Sequence, residues 1–81
     1  MNIYVSNLSF SLVEDDLRQI FSNYGEVNSV KVLRDRETGK SRGIGFVEMR
    51  RDNEAVRAIE NLNGTDVMGR TITVKEANPR M

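Results

Sequence analysis

Apolar residues in this 81-residue chain recur with two periods, and the two periods alternate along it. Val13, Leu17, Ile20, Phe21 and Tyr24 fall at i, i+4, i+7, i+8 and i+11, the stripe of an amphipathic helix. Ala55, Ile59 and Leu62 repeat the pattern at i, i+4 and i+7, with Val56 and Ala58 filling in. Around these stripes the period drops to two. Asn2 to Ser6, Val27 to Arg34, Arg42 to Met49 and Thr71 to Glu76 alternate their side chains between two faces, as half-buried strands do. The punctuation agrees. Ser11 stands three residues before Glu14, which fits a capping box, or the helix starts nearer Val13. Glu14, Asp15 and Asp16 suit the positive end of its dipole, and Gly25 is placed to cap its far end. Asp52 or Asn53 can cap the second helix and Asn63-Gly64 can end it. Asp35 to Ser41 is a polar turn around Gly39, and Val67 to Arg70 is a short turn before the last strand.

The order strand, helix, strand, strand, helix, strand is the split βαβ, or ferredoxin-like, arrangement. It predicts an α+β sandwich, βαββαβ, with one four-stranded antiparallel sheet and both helices on one face. Ile3, Val5, Val30, Val32, Val47, Met49, Ile72 and Val74 form the covered side, and the other side stays open. The length allows one domain, expected over residues 1–78, with 79–81 as a short tail after which Pro79 discourages further pairing. The chain has no cysteine and no histidine, so thiolate metal sites, disulfides and the commonest general base are all missing. No cofactor or metal is called for. No segment is long and apolar enough to span a membrane, and no signal segment is evident, so the cytoplasm is the default location.

Within the third strand, Arg42, Ile44, Phe46 and Glu48 share one parity, and Gly43, Gly45, Val47 and Met49 the other. Charges do not cheaply enter a core, so the first set faces solvent and carries Ile44 and Phe46 with it. Exposed apolar side chains between charges, with glycines that allow close approach, suit a binding surface. The other reading makes Phe46 a core residue and lets Arg42 reach past it to water. In Ile3-Tyr4-Val5-Ser6-Asn7-Leu8, Tyr4 again sits on the polar parity. The two stretches together resemble the paired motifs of the RNA recognition motif (RRM) family, whose octapeptide reads K/R-G-F/Y-G/A-F-V-x-F/Y. Arg42, Gly43, Gly45, Phe46 and Val47 match it, while Ile44 and Met49 replace aromatics. The likeness runs over nearly the whole chain, which is similar to the small single-RRM RNA-binding proteins of bacteria, those of cyanobacteria included.

The resemblance implies strand order 4-1-3-2, with the two motif strands side by side in the centre. It implies a monomer that binds single-stranded RNA and performs no catalysis. Tyr4 and Phe46 would each stack on a base, Ile44 would touch sugar without stacking, and Arg42 would meet a phosphate. Met49 points inward and matters for packing. Asn2, Lys31, Glu48, Thr73, Lys75, Glu76 and Asn78 are candidates for reading base edges by side chain, or by the backbone after the last strand. Lys31 and Lys75 are equally readable as solvated charges. With no evident reader of the 2′-hydroxyl, single-stranded DNA is expected to bind as well.

The formal net charge is zero, unusual for a nucleic-acid binder, but it is a sum of opposites. Residues 31–51 hold seven basic side chains against three acidic ones. Residues 1–30 hold one against four. Arg34, Arg36, Lys40, Arg50 and Arg51 could clamp an RNA backbone, or form a solubilising loop that pairs with Asp35 and Glu37. Arg36 and Lys40 are the preferred contacts of the five. Two short matches fail on spacing. A P-loop ending at Gly39-Lys40-Ser41 needs glycine where Arg34 stands, and a dinucleotide fingerprint from Gly43-Ile44-Gly45 needs glycine where Glu48 stands. The rival reading is an RRM-like protein-interaction module whose partner sits on the helical face.

Overall fold

A computed structural model describes residues 1–77, so the proposed tail and Asn78 lie outside the described residues. The elements follow the expected order: β1 (Asn2–Ser6), α1 (Glu14–Ser22), β2 (Val27–Arg34), β3 (Ser41–Met49) and α2 (Asp52–Leu62). After α2 come β4 (Asp66–Val67), β5 (Arg70–Thr71) and β6 (Thr73–Glu76). The main sheet runs β2-β3-β1-β6, all pairs antiparallel, which is the expected 4-1-3-2 with β6 as its fourth strand. The short β4 and β5 form a separate hairpin, turned by Met68 and Gly69 with φ of 53° and 85°. Two left-handed residues in succession make the kind of tight turn that matches strand twist.

One parity of the sheet is sealed by the helices. Ile3, Val5, Val32, Val47, Met49 and Val74 form a single core with Leu17 and Phe21 of α1 and Ala55, Ala58 and Leu62 of α2. Of the inward residues expected from the sequence, only Val30, on the edge strand β2, is partly rather than fully buried. A side chain bonds one backbone N–H on each edge strand: the Val32 N–H of β2 donates to Glu14 Oε2 at 3.1 Å, and the Val74 N–H of β6 donates to Asn63 Oδ1 at 2.9 Å.

One open alternative is decided and two local expectations are corrected. Of the two starts offered for α1, Ser11 is not the N-cap and Val13 is. Its own N–H donates to Asp16 Oδ2 at 3.1 Å, so the box is closed from the acidic side alone. Gly25 is not a left-handed cap, and α1 ends at Asn23. Glycine is required at 25 because the Glu54 side chain fills the place of a β-carbon, where its Oε1 accepts from the Glu26 N–H at 3.2 Å. Neither Asp52 nor Asn53 caps α2. Arg51 holds that position and no side chain bonds there.

Candidate nucleic-acid interface

The register of the four strands builds the site. Tyr4 of β1 lies directly across from Phe46 of β3, Lys75 of β6 across from Tyr4, and Lys31 of β2 across from Phe46. All four are on the parity opposite the core. A row therefore crosses the whole sheet in the order lysine, tyrosine, phenylalanine, lysine. The two rings meet edge to face, centroids 5.5 Å apart and planes inclined by 62°. Bases lying flat on both would be splayed from each other. Lys75 Nζ sits 5.3 Å from the Tyr4 ring centroid, held by the ring's negative face. Phe46 is 36% exposed, which excludes the reading that made it core.

A second row runs beside the first. Asn2 faces Glu48, and Glu48 faces Ser29, whose hydroxyl donates to Glu48 Oε1 at 3.2 Å. On the other side Thr73 faces Ser6, and Ser6 faces half-buried Ile44. Asn2, Tyr4, Lys31, Ile44, Phe46, Glu48, Thr73 and Lys75 thus share one surface. Glu76 stands opposite inward-facing Ile3 at the end of the sheet, is exposed, and lines a hollow at the rim together with Asn2 and Glu48 of the open face and with Met1 and Asp52.

The glycines of β3 serve the inner side and not an approaching ligand. A β-carbon on Gly45 would lie 2.9 Å from Leu17 Cδ2 and 3.1 Å from the Lys31 carbonyl oxygen. Gly43 has φ +76°, and a β-carbon there would meet the Leu8 carbonyl oxygen at 3.2 Å. Its own carbonyl accepts from the Leu8 N–H at 3.0 Å.

The basic segment divides. Arg34 pairs with Glu14 at 3.0 Å, Arg50 with Glu26 and Arg51 with Glu54 at 3.9 Å each. These acids come from outside the segment. Asp35 instead organises its own turn, its Oδ1 accepting from the Glu37 and Thr38 N–H groups at 2.7 and 3.2 Å. Among the described residues, Lys31, Arg36, Lys40 and Arg42 have no ion-pair partner. Arg42 and Arg36 share a concavity of about 540 Å³ with Arg34, Asp35 and Glu37. Glu14 carries the one resolved pKa change. The Val32 N–H first, and Arg34 after it, hold its carboxyl below the ordinary value.

One exposed aromatic was not singled out by pattern. Phe10, in the β1–α1 loop, is 65% exposed, with the Arg70 guanidinium 5.7 Å from its ring centroid. Arg70 Nη2 also donates to Asn7 Oδ1 at 2.6 Å, and Asn7 Nδ2 donates to the Thr71 carbonyl at 2.6 Å. The clip ties the loop to β5. Its only signal in the sequence is an aromatic between two serines. Among the described residues no group of acidic side chains could hold a metal ion, and no helix is long and apolar enough to cross a membrane.

Comparison with known proteins gives a consistent result. The RNA recognition motif profile matches residues 3–73. A candidate RNA-binding protein of Nostoc sp. strain PCC 7120, RbpE, is 50% identical over 80 residues, covering 99% of this chain and 81% of the relative. A crystal structure of RNA Binding Protein PG1 superposes with TM-score 0.96 at 52% identity, covering all of this chain (100%) and 98% of the other. An SXL-lethal protein/RNA complex superposes with TM-score 0.89 at 37% identity, over 94% of this chain and 47% of that one.

Proposed function

The chain belongs to the RNA recognition motif family, and from that premise we propose that it binds single-stranded RNA across the open face of its sheet. The observation that carries the proposal is the row Lys75, Tyr4, Phe46, Lys31 across four strands. Each ring offers a flat surface to an unpaired base, and a cation stands at each end of the pair. The family is one of RNA-binding domains.

Magnitudes indicate how the binding is divided. Two base stacks contribute roughly 2–6 kcal/mol. Micromolar affinity requires about 8 kcal/mol. The remainder falls to Arg42 and Lys75 on phosphates, to sugar contact at Ile44 and to base-edge hydrogen bonds. Because Arg34, Arg50 and Arg51 are paired within the protein, few cations are left for phosphate. Affinity is therefore modest and falls with salt by a slope of about 0.7 per phosphate contacted. Single-stranded DNA binds the same surface, since stacking and phosphate contact do not distinguish the sugars.

The test is the double variant Tyr4→Ala/Phe46→Ala, titrated with a short single-stranded RNA by fluorescence anisotropy. Both side chains are outside the core, so the variant keeps its denaturation midpoint near wild type. Its affinity drops by about thirtyfold or more, on the scale of about 1–3 kcal/mol per stacked base. Wild-type affinity in a folded double variant would overturn the stacking mechanism.

A further inference from the structure

We infer that this platform selects guanine for the base that stacks on Phe46. The inference rests on the stacking reading above and concerns what surrounds that one ring. A hollow of about 310 Å³ beside Phe46 is lined by Asn2, Ser29, Lys31 and Glu48. A base lying on the ring projects its edge into this space. The register gives the places of the polar groups. Lys31 is directly across the strand pair from Phe46, and Glu48 is the next residue along β3 on the same face.

Glu48 is the informative residue. A carboxylate on a surface that receives phosphates repels them, and it has acceptors only. It becomes favourable there if a base presents N–H groups to it. The Ser29 hydroxyl donates to its Oε1 at 3.2 Å and leaves the remaining lone pairs available. Among the described residues no cation pairs with it. Guanine carries N1–H and the 2-amino group side by side, two donors that match the two oxygens of one carboxylate. Its O6 lies next to N1 and accepts, which suits the Lys31 ammonium. Adenine offers one donor on that edge and turns its N1 lone pair toward the carboxylate. Cytosine offers one donor followed by two acceptors, and uracil a single N–H between two carbonyls. The pairing of carboxylate and ammonium around one exposed ring therefore fits guanine and opposes adenine.

The test uses uridine octanucleotides carrying one central guanine, adenine, cytosine or inosine, with the all-uridine octamer as reference. Inosine keeps N1–H and O6 but lacks the 2-amino group. Wild-type protein should bind the guanine octamer about tenfold more tightly than the adenine or all-uridine ones, as a bidentate side-chain contact discriminates. Inosine should fall between guanine and uridine. Glu48→Gln keeps the shape but loses the second acceptor and the charge. It should bring guanine to within about threefold of uridine. Equal affinities in the wild type, another base ranking first, or a guanine preference unchanged in Glu48→Gln would overturn the inference. Phe46→Ala, run with the same octamers, separates the two readings. Weakened binding of every octamer by Phe46→Ala, beside a wild type without guanine preference, leaves stacking intact and removes the selectivity alone. Unchanged binding of every octamer by Phe46→Ala removes the stacking on which both depend.

Discussion

On its inner face β3 presents Gly43, Gly45, Val47 and Met49, all buried; on its outer face it presents Arg42, Ile44, Phe46 and Glu48, all at least partly exposed. The same backbone serves both, one residue out of step. The inner face has no slack, since a single added methyl at Gly45 collides with Leu17 and with the neighbouring strand. Among the described residues, no layer covers the outer face over the two rings. The comparison teaches that strand alternation separates what holds this domain together from what it offers to a ligand. Substitutions on one side should register as stability, and on the other as binding.

The largest expected effect is on the inner side. Phe21 of α1 is fully buried against the sheet. Phe21→Ala should cost about 3–5 kcal/mol in urea denaturation. In a domain whose whole stability is of the order of 5–15 kcal/mol, RNA affinity is then lost only in proportion to the unfolded fraction. A folded Phe21→Ala protein with weakened binding would break the separation of the two faces.

Gly45→Ala is a smaller and sharper probe, because it changes the inner face of the strand that carries Phe46. Overpacking there should cost about 1–3 kcal/mol. Binding at a temperature where the variant is folded should stay near wild type. The check is a denaturation midpoint measured alongside an RNA titration. A loss of affinity without a loss of stability would mean that the glycine serves the ligand directly.

The smallest effect belongs to Glu14, which ties the edge strand β2 to the start of α1. Its carboxyl is held below the ordinary value by the Val32 N–H and Arg34, so the folded protein favours the charged form. The stabilisation is complete above the carboxyl's unfolded value and is lost as pH falls through the lower, folded one. The pair is half exposed, so Glu14→Gln should cost only about 0.5–1 kcal/mol near neutral pH. The difference between variant and wild type should vanish in acid. A difference that persists at low pH would contradict an ionic role.

Much of the architecture was legible because period and punctuation are local. The stripes at Val13 to Tyr24 and Ala55 to Leu62 name both helices, and Arg42 with Glu48 reveals which way Phe46 points. The open face could be recognised because Tyr4 and Phe46 break an otherwise polar parity. What was not legible depends on residues far apart in the chain. Asp35 and Glu37 are the local acids for the hairpin cations, yet Arg34, Arg50 and Arg51 pair with Glu14, Glu26 and Glu54 instead. Glycine at 25 suggests a helix cap, but Glu54 is what demands it, from another helix. Phe10 was hidden by its loop, since no periodicity marks an aromatic that only a distant arginine holds.

The most direct test of the central claim is an amide-resolved NMR titration of the protein with a short single-stranded RNA at low salt. The account predicts shifts concentrated along β1, β3 and the facing parts of β2 and β6, at Tyr4, Lys31, Ile44, Phe46 and Lys75, with the outer surfaces of α1 and α2 unmoved. Shifts confined to the helices, or none at all, would contradict it.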